Sequence, residues 1–160
     1  MGFQDDLLFT TYPSAPRSEI YVTSSNGYGS DSNNKVRRWT NTIKSTGSDI
    51  TYSDASTTGS LFTINTTGLY AAGYVDQFNS GNNGHAITVN SASLSLSTLG
   101  TSFPDAQRLS NCMPTAADRP AQTSFVGILS AGDLIRPQTD GGVAGANTFL
   151  ASFRIAKINN

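Results

Sequence analysis

GLYAAGYVDQF (68–78), QTSFVGILSAGDLIRP (122–137) and NTFLASFRIAKI (147–158) decide the fold. Each is an apolar run of strand length, and the middle one is broken at Gly132-Asp133, a pair that turns a chain back on itself. In order they read as a strand, a hairpin and a closing strand. In the last, Phe149, Ala151, Phe153 and Ile155 fall on one side of an extended chain and Leu150, Ser152, Arg154 and Ala156 on the other. That is the alternation of a half-buried strand. Phe125, Ile128, Phe149, Phe153 and Ile155 are accordingly expected in the core. Residues 68–75 differ: Leu69, Ala71, Gly73 and Val75 occupy one side and Tyr70, Ala72 and Tyr74 the other, so neither side is written for water. Such a strand needs a second partner, either loops of its own domain or another chain, and small residues such as Ala72 and Gly73 permit a close approach.

The same punctuation runs outward from these segments. Turn clusters stand at Asn26-Gly27, Ser32-Asn33-Asn34, Thr46-Gly47, Thr58-Gly59, 80–84 and Asp140-Gly141-Gly142, with short apolar runs between them and no convincing 3.6-residue period. Strands are expected near 20–23, 35–43, 49–52, 61–64, 68–78, 85–90, 93–99, 107–112, 122–130, 133–138 and 147–158. That many short strands fit two packed sheets with Greek-key connections. Residues 1–19 stand apart as an extended N-terminal arm, because Pro13 and Pro16 hold the chain extended without donating to a ladder. Phe3, Leu7, Leu8, Phe9 and Tyr12 make that arm sticky, and it is expected to pack on its own domain, a neighbouring subunit or a larger surface. Residues 20–160 then form one domain, of a size that buries a core without staples.

Composition excludes several functions. Charged residues are 13% of the chain, about half the usual share, and the net charge is −1 with scattered bases, so no electrostatic footprint for a nucleic acid is present. Cys112 is alone, which excludes an intrachain disulfide framework and reads as a small buried hydrophobe. The opening MGFQDDLLFTTYP carries two acids, no basic n-region and an apolar run too short for a signal peptide or membrane span. No secretion route is expected, and Asn65-Thr66-Thr67 reads as a turn instead of a glycosylation site.

Little chemistry is foreseen. His85 is the sole histidine, and it opens a strand after a Gly-rich turn without any Gly-x-Ser-x-Gly spacing nearby, so an ordinary strand-end or interface histidine is expected. One His and one Cys fall short of a zinc ligand set. Glu19 is the only glutamate, and Asp5, Asp6, Asp49 and Asp54 lie in the arm and around turns, where Asp bonds backbone. Asp31, Asn33 and Asn34 offer alternating oxygens for calcium but lack an EF-hand loop and a bidentate Glu. Arg37 and Arg38 must point to opposite faces of a strand, so one of them is expected at an interface, where a planar guanidinium satisfies several acceptors. No enzyme activity, cofactor, metal, nucleic acid or membrane is expected.

As an ordered set the motifs resemble the tumour-necrosis-factor-like jelly-roll superfamily, which includes the complement globular heads. Leu61-Phe62-Thr63-Ile64 before Gly68-Leu69-Tyr70 looks like its apolar strand and Gly-x-Tyr strand, and Leu129 to Leu134 like the turn before its penultimate strand. The combination of Arg37-Arg38-Trp39, Ile50-Thr51-Tyr52, Gly68-Leu69-Tyr70-Ala71 and Ala131-Gly132-Asp133-Leu134-Ile135-Arg136-Pro137 is similar to bacteriophage virion proteins of that superfamily. The resemblance covers about 35–158, and no collagen-like or coiled-coil stalk accompanies it. It implies an all-β, two-sheet Greek-key jelly-roll sandwich that forms a homotrimer. The neighbouring subunit would cover the 68–75 strand, with Arg37, Arg38, Tyr70, Ala72 and Tyr74 at the trimer interface. It further implies a capsid decoration protein on the outer surface of the virion, bound to the major capsid protein and anchored by Phe3, Leu7, Leu8, Phe9 and Tyr12. The alternative it leaves is the receptor- or carbohydrate-binding head of a tail fibre, with loops 79–84 and 140–146 at its apex.

Overall fold

In the computed structural model, residues 18–31, 34–77, 84–94, 104–112, 120–139 and 150–158 are described. The arm residues Phe3, Leu7, Leu8, Phe9 and Tyr12, together with Phe149 and the segments 79–83 and 140–146, lie outside them. Among the described residues ten strands form: β1 Glu19–Tyr28, β2 Arg37–Thr46, β3 Ile50–Ala55, β4 Gly59–Ile64, β5 Gly68–Gln77, β6 His85–Val89, β7 Arg108–Cys112, β8 Pro120–Leu129, β9 Leu134–Thr139 and β10 Ser152–Lys157. A 3-10 turn, Asp105–Gln107, precedes β7.

The strands divide into two five-stranded sheets, in the orders β2-β1-β10-β5-β8 and β3-β4-β9-β6-β7, and every named pairing is antiparallel. The last strand lies between the first and the fifth, which is the Greek-key crossing the sequence order implied. The hairpin expected at Gly132-Asp133 is present: the Asp133 carboxylate accepts from the Ser130 amide and from the Asn90 side chain, tying the turn to the end of β6. Gly59 begins β4 with φ +80, and an added Cβ would lie 2.7 Å from Val36 Cβ. Only glycine serves there. Of the strand expected near 93–99, residues 93 and 94 are not extended and the remainder is outside the described residues.

The core sits between the sheets. Ile20 and Val22 of β1, Tyr70, Ala72 and Tyr74 of β5, and Phe153 and Ile155 of β10 face Ile50, Phe62, Ile64, Ile87 and Ile135 of the second sheet. Phe62 is the hinge of this packing, stacked on Tyr52 at 4.7 Å and tilted against Phe153 at 4.5 Å across the sandwich. Aromatic contacts of this kind add to simple area burial. Ala151, Phe153 and Ile155 are buried, as their alternation predicted.

Two expectations are corrected. Ile128 was expected in the core and is 65% exposed, because β8 buries Ala121, Thr123 and Leu129 and the even-numbered residues point away. Phe125 shares the inward parity but is only partly buried: its ring lies over Gly127, where an added Cβ would come within 2.6 Å of it. Tyr70, Ala72 and Tyr74 were expected against another subunit. They are buried inside their own sandwich, since the tyrosine hydroxyls find acceptors there, Thr66 carbonyl at 2.6 Å for Tyr70 and Asp76 at 2.6 Å for Tyr74.

Candidate assembly face

Cross-strand register fixes what the outside of the first sheet presents, because directly paired residues share a face. Along β5 the outward residues are Leu69, Ala71, Gly73 and Val75. Leu69 pairs with Ile128, Ala71 with Val126, Gly73 with Ser124 and Val75 with Gln122 on β8. On the other flank Ala71 pairs with Ala156 and Gly73 with Arg154 on β10, and Ala156 pairs in turn with Glu19 on β1. The result is a small-residue floor beside an aliphatic ridge. Val126 is 66% exposed, matching Ile128, although a strand so placed usually shows polar side chains to water.

Over the floor lies a cleft of about 390 Å³ lined by Glu19, Ala71, Gly73, Arg154, Ala156, Lys157 and Ile158. Gly73 has no backbone need to be glycine: its φ is not positive, and an added Cβ would meet nothing within 4 Å. A mid-strand glycine with open space above it leaves room for a close approach. The cleft rim is charged. Glu19, hardly exposed, takes Lys44 Nζ and Arg154 Nη2, each at 2.5 Å, on its two oxygens. The Lys44 hydrogen bond, with both cations, holds its carboxyl below the ordinary range despite partial burial. Lys44 and Arg154 stay largely solvated, and Arg154 lies over the Tyr21 ring at 6.0 Å. Lys157 is committed to Asp49 at 3.1 Å.

The arginine pair divides as strand geometry requires, but neither goes to a free surface. Arg37 is buried within the chain and forms a two-point ion pair with Asp76, Nε to Oδ2 at 2.6 Å and Nη2 to Oδ1 at 3.0 Å, with its guanidinium over Tyr28 at 4.8 Å. Burial opposes its charge, yet Asp76, Tyr74 and Tyr28 together hold it more firmly protonated than usual. Arg38 reaches Asp54 at 3.0 Å and is about a fifth exposed. Arg37 is therefore removed from the interface set, for the same reason as the tyrosines: its partner is inside.

The remaining candidates resolve as local structure. Asn34 accepts from the Val36 amide and donates to the Thr57 carbonyl, closing a turn, while Asn33 is outside the described residues. Asn65 donates to the Ser48 carbonyl and to Thr51. Among the described residues no three His, Cys, Asp or Glu gather as metal ligands, and no helix is long and apolar enough to cross a membrane. His85 opens β6 and is wholly buried, edge-on to Tyr74 at 4.9 Å. Sequence reasoning missed Asp76 and the outward ridge of Val126 and Ile128. Both were signalled by parity: Asp76 follows Tyr70, Ala72 and Tyr74 at intervals of two, and Val126 and Ile128 cannot share a face with Phe125.

No family model and no curated protein sequence matches the chain. Among solved structures it is similar to murine APRIL at pH 8.5, with a TM-score of 0.60 and 15% identity over 89% of this chain and 99% of that one. It is also similar to pika GITRL, with a TM-score of 0.53 and 14% identity over 91% and 98%. Both have tumour-necrosis-factor-family folds, and the chain has the all-β, two-sheet jelly-roll fold of that kind.

Proposed function

We propose that the chain is a non-enzymatic assembly module, a homotrimer closed through the outer face of its first sheet, that decorates the outer surface of a bacteriophage capsid by binding the major capsid protein. The observation that carries the assembly step is the pairing of ridge and cleft on one face. Val126 and Ile128 project from the edge strand β8, while Ala71 and Gly73 on the adjacent β5 and Ala156 on the next strand, β10, floor a cleft beside them. The ridge of one copy fits the cleft of the next. Such a head-to-tail contact uses two different patches and closes into a ring when the rotation permits. The sole histidine and the Arg37–Asp76 pair are consumed inside the core, which supports a binding module over a catalyst.

The capsid reading is supported by the ordered phage-like motifs and by the apolar arm of residues 1–19. A protein that binds only the assembled shell stabilises that shell by mass action. Sedimentation equilibrium should return three times 16.9 kDa, and Ala71→Asp, which places a carboxylate on the floor, should return the single-chain mass with unchanged far-UV circular dichroism. A wild-type monomer at micromolar concentration overturns the assembly. Negative-stain images of virions lacking the protein then separate the roles: lost shell protrusions support decoration, and lost tail tips refute it.

A further inference from the structure

The interior of the sandwich changes character along its length. Toward Tyr70 it is filled by Ile20, Ile50, Ile64, Leu129 and Ile155. Toward the far ends of β5 and β6 the buried side chains are Arg37, Asp76, His85, Thr88, Gln138 and Thr139, with Tyr74 among them. The His85 ring stands edge-on to Tyr74 at 4.9 Å; Tyr74 donates to Asp76 at 2.6 Å; Asp76 holds Arg37 at two points. Imidazole, phenol, carboxylate and guanidinium thus form one contiguous cluster drawn from β6, β5 and β2. Among the described residues, and with a neutral imidazole, the cluster holds one cation, Arg37, and one anion, Asp76.

We propose that this cluster is an acid-operated lock on one end of the sandwich: protonation of His85 sets a second buried cation beside Arg37 at the Asp76 carboxylate, and β6 loosens from β5 while the aliphatic end stays folded. Among the described residues, the titratable groups around His85 are Tyr74 and Asp76 from β5, Arg37 from β2, Tyr28 from β1 and Cys112, its register partner on β7. From β8 and β9 come Ala121, Gln138 and Thr139, which do not titrate. Tyr74 cannot supply a compensating charge, since burial and the neighbouring Asp76 push its hydroxyl well above the usual range.

Burial brings His85 down from 6.5 to about 4; Asp76 and the Ala121 backbone pull the other way, and Arg37 adds to the burial effect. The folded state therefore takes up this proton less readily than the open state. The stabilisation from neutral His85 is whole above pH 6.5 and is lost as pH falls toward about 4. Within that window the opening equilibrium grows by up to about tenfold per pH unit, because one proton is taken up on opening.

The chain carries its own reporters. His85 is the only histidine, so a ¹H–¹³C imidazole titration reads it alone, and the only tryptophan, Trp39, lies 6.1 Å from Tyr74. On the full chain from pH 7.5 to 4, the imidazole midpoint should fall well below 6.5, and Trp39 emission should change in the same window while far-UV circular dichroism is retained. Because the cluster lies within one chain, the midpoint should not depend on protein concentration, which keeps this inference separate from the assembly proposed above. His85→Gln should abolish the emission change. An imidazole midpoint at or above 6.5, steady emission while the ring titrates, or a concentration-dependent midpoint overturns the lock, as does an emission change that survives in His85→Gln. Should that variant not fold, the wild-type imidazole and emission curves decide between the same outcomes.

Discussion

Asp76 accepts four hydrogen bonds without exposing an oxygen. Oδ2 takes Arg37 Nε and the Tyr74 hydroxyl, and Oδ1 takes Arg37 Nη2 and the Gln77 amide. A saturated carboxylate beside a buried guanidinium adds little net stability compared with an apolar pair of the same shape, but losing one partner strands the other. Asp76→Asn keeps the volume and removes the charge, so it should cost about 3–5 kcal/mol in urea unfolding. The double replacement Arg37→Met, Asp76→Leu should recover most of that loss. A single mutant within about 1 kcal/mol of wild type would mean that water reaches Arg37. The sequence showed that Arg37 and Arg38 diverge, because alternation is local. It could not show that Arg37 meets a residue 39 positions on, across two intervening strands, since that pairing exists only once the sheet has formed.

At the scale of the strand, legibility depended on whether a segment had one face for water. β10 did: Arg154 on one side and Phe153 with Ile155 on the other left a single orientation, and the structure adopts it. β5 did not, and its two apolar faces were assigned the wrong way round, because side-chain size alone does not reveal which hydroxyls will find acceptors. In β8 the parity was readable, yet Phe125 and Ile128 were placed together although three residues on a strand separate opposite faces. Gly73 gives the outward face of β5 a direct test. Gly73→Val adds a Cβ that meets nothing within 4 Å among the described residues and replaces a poor strand former by a good one, so the isolated chain should gain about 0.5–1 kcal/mol. If a second copy seats over this strand, the same substitution should weaken association. Unfolding at nanomolar concentration and sedimentation at micromolar concentration read the two effects separately; equal association in both proteins would clear this face of a close partner.

For the molecule as a whole, the architecture was the most legible feature, because many short strands with turn residues between them admit few closed arrangements. What the sandwich binds is written less plainly, and the arm is where the sequence speaks most directly. Ser18 and Glu19 are already built into the sandwich, Ser18 through Asp49 at 2.7 Å and Glu19 through its two cations. Deleting residues 2–12 should therefore leave a folded trimer. Phe3, Leu7, Leu8 and Phe9 would each contribute about 1.5–3 kcal/mol when buried, before the entropy of ordering the arm is subtracted. Even a third of that sum surviving would change shell occupancy more than tenfold at a limiting protein concentration, since about 1.4 kcal/mol is a factor of ten. Mixing the truncated trimer with undecorated particles and measuring bound protein after pelleting gives the answer. Occupancy equal to the full chain would move docking to the sandwich itself, and a deletion that no longer forms trimers would assign the arm to the subunit contact.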